Sequence, residues 1–113
     1  MKFSNKTKKI LLARSKGLCE YCNKPVDTPQ YHHRRPRGMG GTKRTNSGDP
    51  ENGVVVHLHC HISIESDREQ SLFSGFLVWQ SHDPLTTPIV INGEWFLLNN
   101  DGTKTLQLSS PAD

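Results

Sequence analysis

Hydrophobic positions are sparse along this chain and come in short runs of differing period. In NKTKKILLARSK, Ile10, Leu11 and Leu12 form a brief apolar face while the lysines and Arg14 decorate the rest, which predicts a helix over residues 5–16 with Gly17 ending it. LCEYCNKP reads as a tight C-x-x-C turn, and VDTPQYHH as a short strand that runs into His32 and His33. Residues 34–53, RRPRGMGGTKRTNSGDPENG, are rich in Gly, Pro, Asn and Arg and predict a long loop, a length that inside a small domain points to function. VVVHL is a second strand, and CHISIESDREQSLFSGF a helix that Gly75 terminates. Beyond Pro84 and Pro88, the pairs Asn92-Gly93 and Asp101-Gly102 separate IVI, EWFLL and TKTLQL, the signature of tight β-turns. The expected class is α+β, one domain closed by a C-terminal β-hairpin extension.

Composition sharpens this picture. Of 113 residues only 33% are hydrophobic, with 9 Gly and 7 Pro, so the core is modest and a disulfide or metal is expected to supplement it. Three cysteines fit poorly with a closed disulfide framework, and reduced thiols able to bind metal imply a cytoplasmic protein. No apolar run approaches the roughly 20 residues of a membrane span, and ILLA is too brief for a signal-peptide core. The net charge of +3 conceals a polarity: residues 1–44 hold 12 of the 14 Lys and Arg against two acids, while residues 45–113 hold nine acids against two bases. A basic half of this kind is the electrostatic footprint of a polyanion partner, most simply nucleic acid.

Cys19 and Cys22 have the spacing that lets both thiolates of one turn reach a single metal. A structural zinc takes four ligands, and His57-x-x-Cys60 repeats the same gap with histidine in the first place. Cys19, Cys22, His57 and Cys60 are therefore the expected Cys3His site, with His59 the rival for the histidine position. A redox reading of the C-x-x-C lacks the βαβ pattern that such a motif accompanies.

Three histidines near this site remain: His32 and His33 end the first strand, and His61 opens the following helix, with Asn52 just before the second strand. The order strand, loop, strand, helix with His, Asn and His, carried by RSKGLCEYC, YHHRRPRGMGG and ENGVVVHLHCH over residues 14–65, resembles the HNH nucleases. Asn52 lies nine residues before His61, as in the family's N-x-x-x-x-C-x-x-C-H ending, although His57 stands where a cysteine is usual. The tail NGEWFLLNNDG extends a weaker likeness to small HNH proteins of phages and prophages. The resemblance implies a small ββα-metal core: residues 1–80 would be the nuclease domain with its zinc knuckle, and residues 81–113 a short β extension of the same domain.

By that resemblance His33 is the general base and His32 a metal ligand, where many members have Asp. His61 is the second ligand, and Glu65, four residues on along the same helical face, is placed either to complete the set or to pair locally as an exposed carboxylate. Asn52 bridges the loop by hydrogen bonds to the backbone and holds the geometry. Arg34, Arg35 and Arg37 are positioned to hold phosphates, Arg37 equally to stiffen the loop. Nitrogen-rich ligation favours Zn, Ni, Co or Mn over Mg as the catalytic ion. The implied activity is metal-dependent DNA hydrolysis of loose sequence specificity by a monomer. The implied setting is a bacterial host, with phage packaging and its terminase large subunit or portal as partners. The alternative function is a zinc-stabilised nucleic-acid-binding module without catalysis, in which the second histidine cluster is structural.

Overall fold

A computed structural model of the chain describes residues 2–36 and 46–107. Helix α1, Asn5–Ser15, begins at Ser4, whose hydroxyl accepts a hydrogen bond from the Thr7 amide. It ends on Lys16 in the left-handed conformation (φ 58°), with Gly17 (φ 76°) directly behind it. The knuckle follows, closed by the Cys19 amide donating to the Lys24 carbonyl and the Asn23 amide to the Cys19 carbonyl.

Strand β1, Gln30–His33, pairs antiparallel with β2, Gly53–Val56, placing His32 opposite Val54 and His33 opposite Gly53. A 3-10 turn over Pro50–Asn52 leads into β2, which is buried at every position, and His57 alone separates it from helix α2, Leu58–Ser66. The sequence predicts one helix running on to Gly75; there are two. Asp67 (ψ 77°) breaks the path and caps the new helix α3, Arg68–Ser74, its carboxylate accepting from the Gln70 amide at 3.2 Å. This is the N-cap chemistry that favours Asp at a helix start. Gly75 closes α3 at φ 86°, where a side chain would also meet the Pro88 backbone.

The C-terminal segment is a three-stranded antiparallel meander, β3 (Ile89–Ile91), β4 (Glu94–Leu98) and β5 (Lys104–Leu106), rather than a single hairpin. It packs into the main core: Ile89, Ile91 and Leu98 are buried in one cluster with Val54, Val56, Cys60, Ile64, Phe76 and Leu77. Among the described residues no helix is long and apolar enough to cross a membrane.

With so few apolar residues, buried guanidinium groups tie the elements together. Arg14 donates from Nε and Nη2 to the Glu20 carboxylate at 3.0 and 2.7 Å, and to the Pro50 and Gly53 carbonyls at 2.9 and 2.7 Å. Glu20 in turn accepts from the Val55 amide at 2.9 Å, so α1, the knuckle and β2 share one ion pair. Arg34 is fully enclosed. Its Nε donates to Gly75 O, Nη1 to Glu51 O and Pro84 O, and Nη2 to Thr87 O. Burial draws its pKa down to about 9, opposed by the nearby Glu20 and Glu51.

The expectation that Arg34 and Arg35 hold phosphates is therefore corrected. Arg34 spends its donors on main-chain carbonyls, and Arg35, 3% exposed, donates to His82 O at 2.7 Å and to Asn46 Oδ1. Both act as internal struts between the β1 end and the chain after α3. Arg34→Lys cannot serve four carbonyls with a single ammonium. It is expected to lower the unfolding free energy by about 3 kcal/mol while leaving unchanged the salt dependence of the DNA binding that the basic half implies. Denaturant unfolding beside binding at several ionic strengths checks this; full stability with a flattened salt slope would return Arg34 to the phosphates.

Candidate functional site

Two groups of side chains that could hold a metal ion flank the start of α2. In the first, one ligand atom each from Cys19, Cys22, His57 and Cys60 lies within 4.8 Å of all the others. His57 Nδ1 is 3.3 Å from Cys22 Sγ and 3.9 Å from Cys60 Sγ. A tetrahedral zinc with sulfur at ~2.3 Å and nitrogen at ~2.0 Å sets its ligand atoms roughly 3.5 to 3.8 Å apart, so the cluster has the spacing of a metal site such as that of zinc. His57 Nε2 donates to the Pro25 carbonyl at 3.0 Å, which fixes the tautomer and leaves Nδ1 to face the thiols. His59 stacks on the His57 ring at 4.9 Å and stands outside the four-residue group, so the histidine position belongs to His57.

The buried thiols sit in unequal electrostatic surroundings. Burial raises Cys19, but the main-chain groups of Cys22, His57 and Tyr21 outweigh it and bring the thiol down to about 7. Burial, with Cys19 and Cys22 alongside, pushes Cys60 up to about 12. A cation bound among these sulfurs would favour their thiolate forms.

The second group is His32, His61 and Glu65, whose ligand atoms also fall within 4.8 Å of one another. His32 is 2% exposed and its Nε2 donates to the Phe76 carbonyl at 2.8 Å. Burial lowers its pKa to about 4, helped by His61, His33 and Arg34, so at neutral pH it is an uncharged imidazole whose Nδ1 lone pair can ligate. The His32 and His61 rings meet edge to face at 4.9 Å. His61 Nε2 and Glu65 Oε1 are 3.3 Å apart across one helical turn, near the roughly 3 Å between adjacent ligands of an octahedral ion bound at ~2.1 Å. A cavity of about 240 Å³ opens over this group, lined by Tyr31, His32, His33, Pro36, His61 and Glu65.

His33 therefore shares a cavity with the second group while leaving the ligand set. Asn52, completely buried, bridges the two ends of the long loop: its Oδ1 accepts from the Arg35 amide at 2.7 Å, and its Nδ2 donates to Ser47 O at 2.9 Å and Arg35 O at 3.3 Å. These contacts are all to backbone, so Asn52 holds the loop and presents nothing to the cavity. Arg37 lies outside the described residues.

Sequence reasoning missed the Arg14–Glu20 pair, although both residues stand in the stretch RSKGLCEYC and its immediate approach. It also missed Tyr31, which lines the cavity and carries the Lys8 ammonium 5.3 Å from its ring centre. A strand's alternation signals Tyr31: two residues before His33, it must share that side chain's face. No family model, curated protein or solved structure matches this chain.

Purified protein is expected to carry one tightly held metal ion at the four-ligand knuckle. Cys19→Ser should release it and unfold the domain, since metal binding and folding are coupled in so small a core. His57→Cys should keep the ion but loosen the knuckle, because the Pro25 carbonyl loses its donor. Elemental analysis with thermal unfolding checks both; metal-free wild-type protein that is folded and stable would contradict the assignment.

Proposed function

We propose that this chain is a metal-dependent DNA endonuclease of the HNH type, with β1, β2 and α2 as its ββα-metal core and the knuckle as a structural zinc site. The observation that carries the reading is the convergence of His32, His61 and Glu65 on one cavity that His33 also lines. Phosphodiester hydrolysis needs a base for the attacking water, a Lewis acid at the phosphate and positive charge along the backbone. A binding module needs only the last of these.

The roles are those the resemblance implies, and the geometry supports them. His33 Nε2 is shut off from solvent, so proton transfer from water falls to Nδ1. His32 through Nδ1, His61 and Glu65 would hold a divalent ion, and their two nitrogens and one carboxylate favour Mn, Co, Ni or Zn over Mg. That ion supplies Lewis acidity to the scissile phosphate and charge to the leaving oxygen. Asn52 keeps the loop ends together beside the base. With Arg34 and Arg35 inside the fold, the charge that the described residues offer to the backbone includes that of α1 and its flanks, where Lys2, Lys6, Lys9 and Lys16 are exposed. Contacts of this kind are with phosphates and carry little sequence information. On the same resemblance, the reading extends to a monomer encoded by a phage or prophage. It would act in the host cytoplasm, with the terminase large subunit or portal as protein partner.

The test is relaxation and linearisation of supercoiled plasmid across a panel of divalent metals. His33→Ala is expected to lower the cleavage rate by ~100-fold or more with folding, zinc content and DNA binding intact. His32→Ala should weaken the ion's hold, so part of its activity returns as metal concentration rises. Rescue of His33→Ala by metal with none for His32→Ala would reverse the two roles. DNA binding without cleavage under any metal would leave a zinc-stabilised binding module.

A further inference from the structure

Phe3 precedes α1 and belongs to no helix or strand, yet it is only 4% exposed. Its ring lies flat on His33, with centroids 4.0 Å apart and planes 11° from parallel. Strand alternation explains the pairing: Tyr31 and His33 share one face of β1, and His32 takes the other, toward α2 and Phe76. The face shared by Tyr31 and His33 is covered from the N-terminal side, by Lys8 over Tyr31 and Phe3 over His33.

The sequence makes room for this contact at one position. Gly53 is the register partner of His33, and a Cβ there would come within 2.9 Å of the Phe3 ring and 2.7 Å of the Leu11 side chain. Its φ of −115° is open to any residue, so the requirement at 53 is for space. An imidazole at the end of a strand has a broad χ2 distribution, and a half-turn about that bond exchanges the edge carrying Nδ1 for a carbon edge. A face-on aromatic neighbour in a buried slot restricts that motion.

We infer that Phe3 is a positioning residue for His33, holding the plane of its imidazole in one orientation beside the cavity. This rests on the reading of His33 as the base. Phe3 is placed to act through His33, and it contributes orientation without chemistry of its own. A base displaced or rotating out of line loses rate while substrate affinity is unchanged.

The experiment uses the full zinc-loaded chain at one fixed pH and reads His33 by NMR alongside steady-state cleavage. In the wild-type protein the His33 ring protons should lie upfield of their free-histidine positions, because they sit over the Phe3 face. In Phe3→Leu they should return toward those positions, with kcat about tenfold lower and KM, zinc content and DNA affinity unchanged. Gly53→Ala displaces Phe3 without removing it and should reproduce both changes, a safeguard if Phe3→Leu fails to fold. Unshifted His33 protons in wild type would overturn the stack. Resonances that move while kcat holds, or a loss carried by KM, would overturn the positioning role. Absence of cleavage by the wild-type protein would fall on the nuclease reading and end the catalytic part of the inference, while the resonances still decide whether Phe3 fixes the ring.

Discussion

One turn of helix carries this structure. His57, Cys60 and His61 sit at the start of α2, and successive residues of an α-helix point about 100° apart. Cys60 can therefore turn inward to the knuckle thiols while its neighbour His61 turns toward His32. The two ligand groups are set back to back by helical geometry, and anything that rotates or frays this turn disturbs both. The rest of the fold anchors it. β2 is buried along its length and feeds straight into the turn, the knuckle holds it through His57 and Cys60, and β1 meets it through His32.

The anchoring is unusually polar, as a small apolar fraction dictates. Arg14 and Glu20 join α1 to the knuckle and to β2, and Arg34 spans from Glu51 to Thr87 on carbonyl oxygens alone. Burying such charges carries a desolvation cost, and the pairing offsets it because every guanidinium nitrogen has a partner. What results is directional: a guanidinium tied to four carbonyls fixes the spacing of the backbone segments that carry them. The end of β1, and with it His32 and His33, inherits that rigidity.

Local features were legible in the sequence, and long-range ones were not. Matched two-residue gaps in Cys19–Cys22 and His57–Cys60 brought out the four-ligand knuckle, and β alternation separated His32 from His33. The burial of Arg34 and Arg35 was hidden because their partners lie 11 to 53 residues away in chain, while a run of arginines beside glycines reads as solvent-facing charge. The gap pattern chose His57 but left His59 as its rival, since the Pro25 carbonyl that orients His57 comes from another turn. The break at Asp67 did have a local signal. Aspartate followed three residues later by Gln70 is a helix-start pattern, masked by the continuous polar periodicity around it.

On the proposed reading, one helical turn serves two metal sites of different chemistry. Cobalt reports ligand type directly, so the most direct measurement is optical titration of chain produced with cobalt in place of zinc. The resident ion should show intense thiolate-to-cobalt charge transfer and tetrahedral bands from Cys19, Cys22, Cys60 and His57. One further equivalent should add weaker bands with no thiolate character, and His61→Ala should abolish that second step while leaving the first untouched. A second equivalent that adds thiolate bands, no second equivalent at all, or a His61→Ala protein that loses the resident ion would contradict the account.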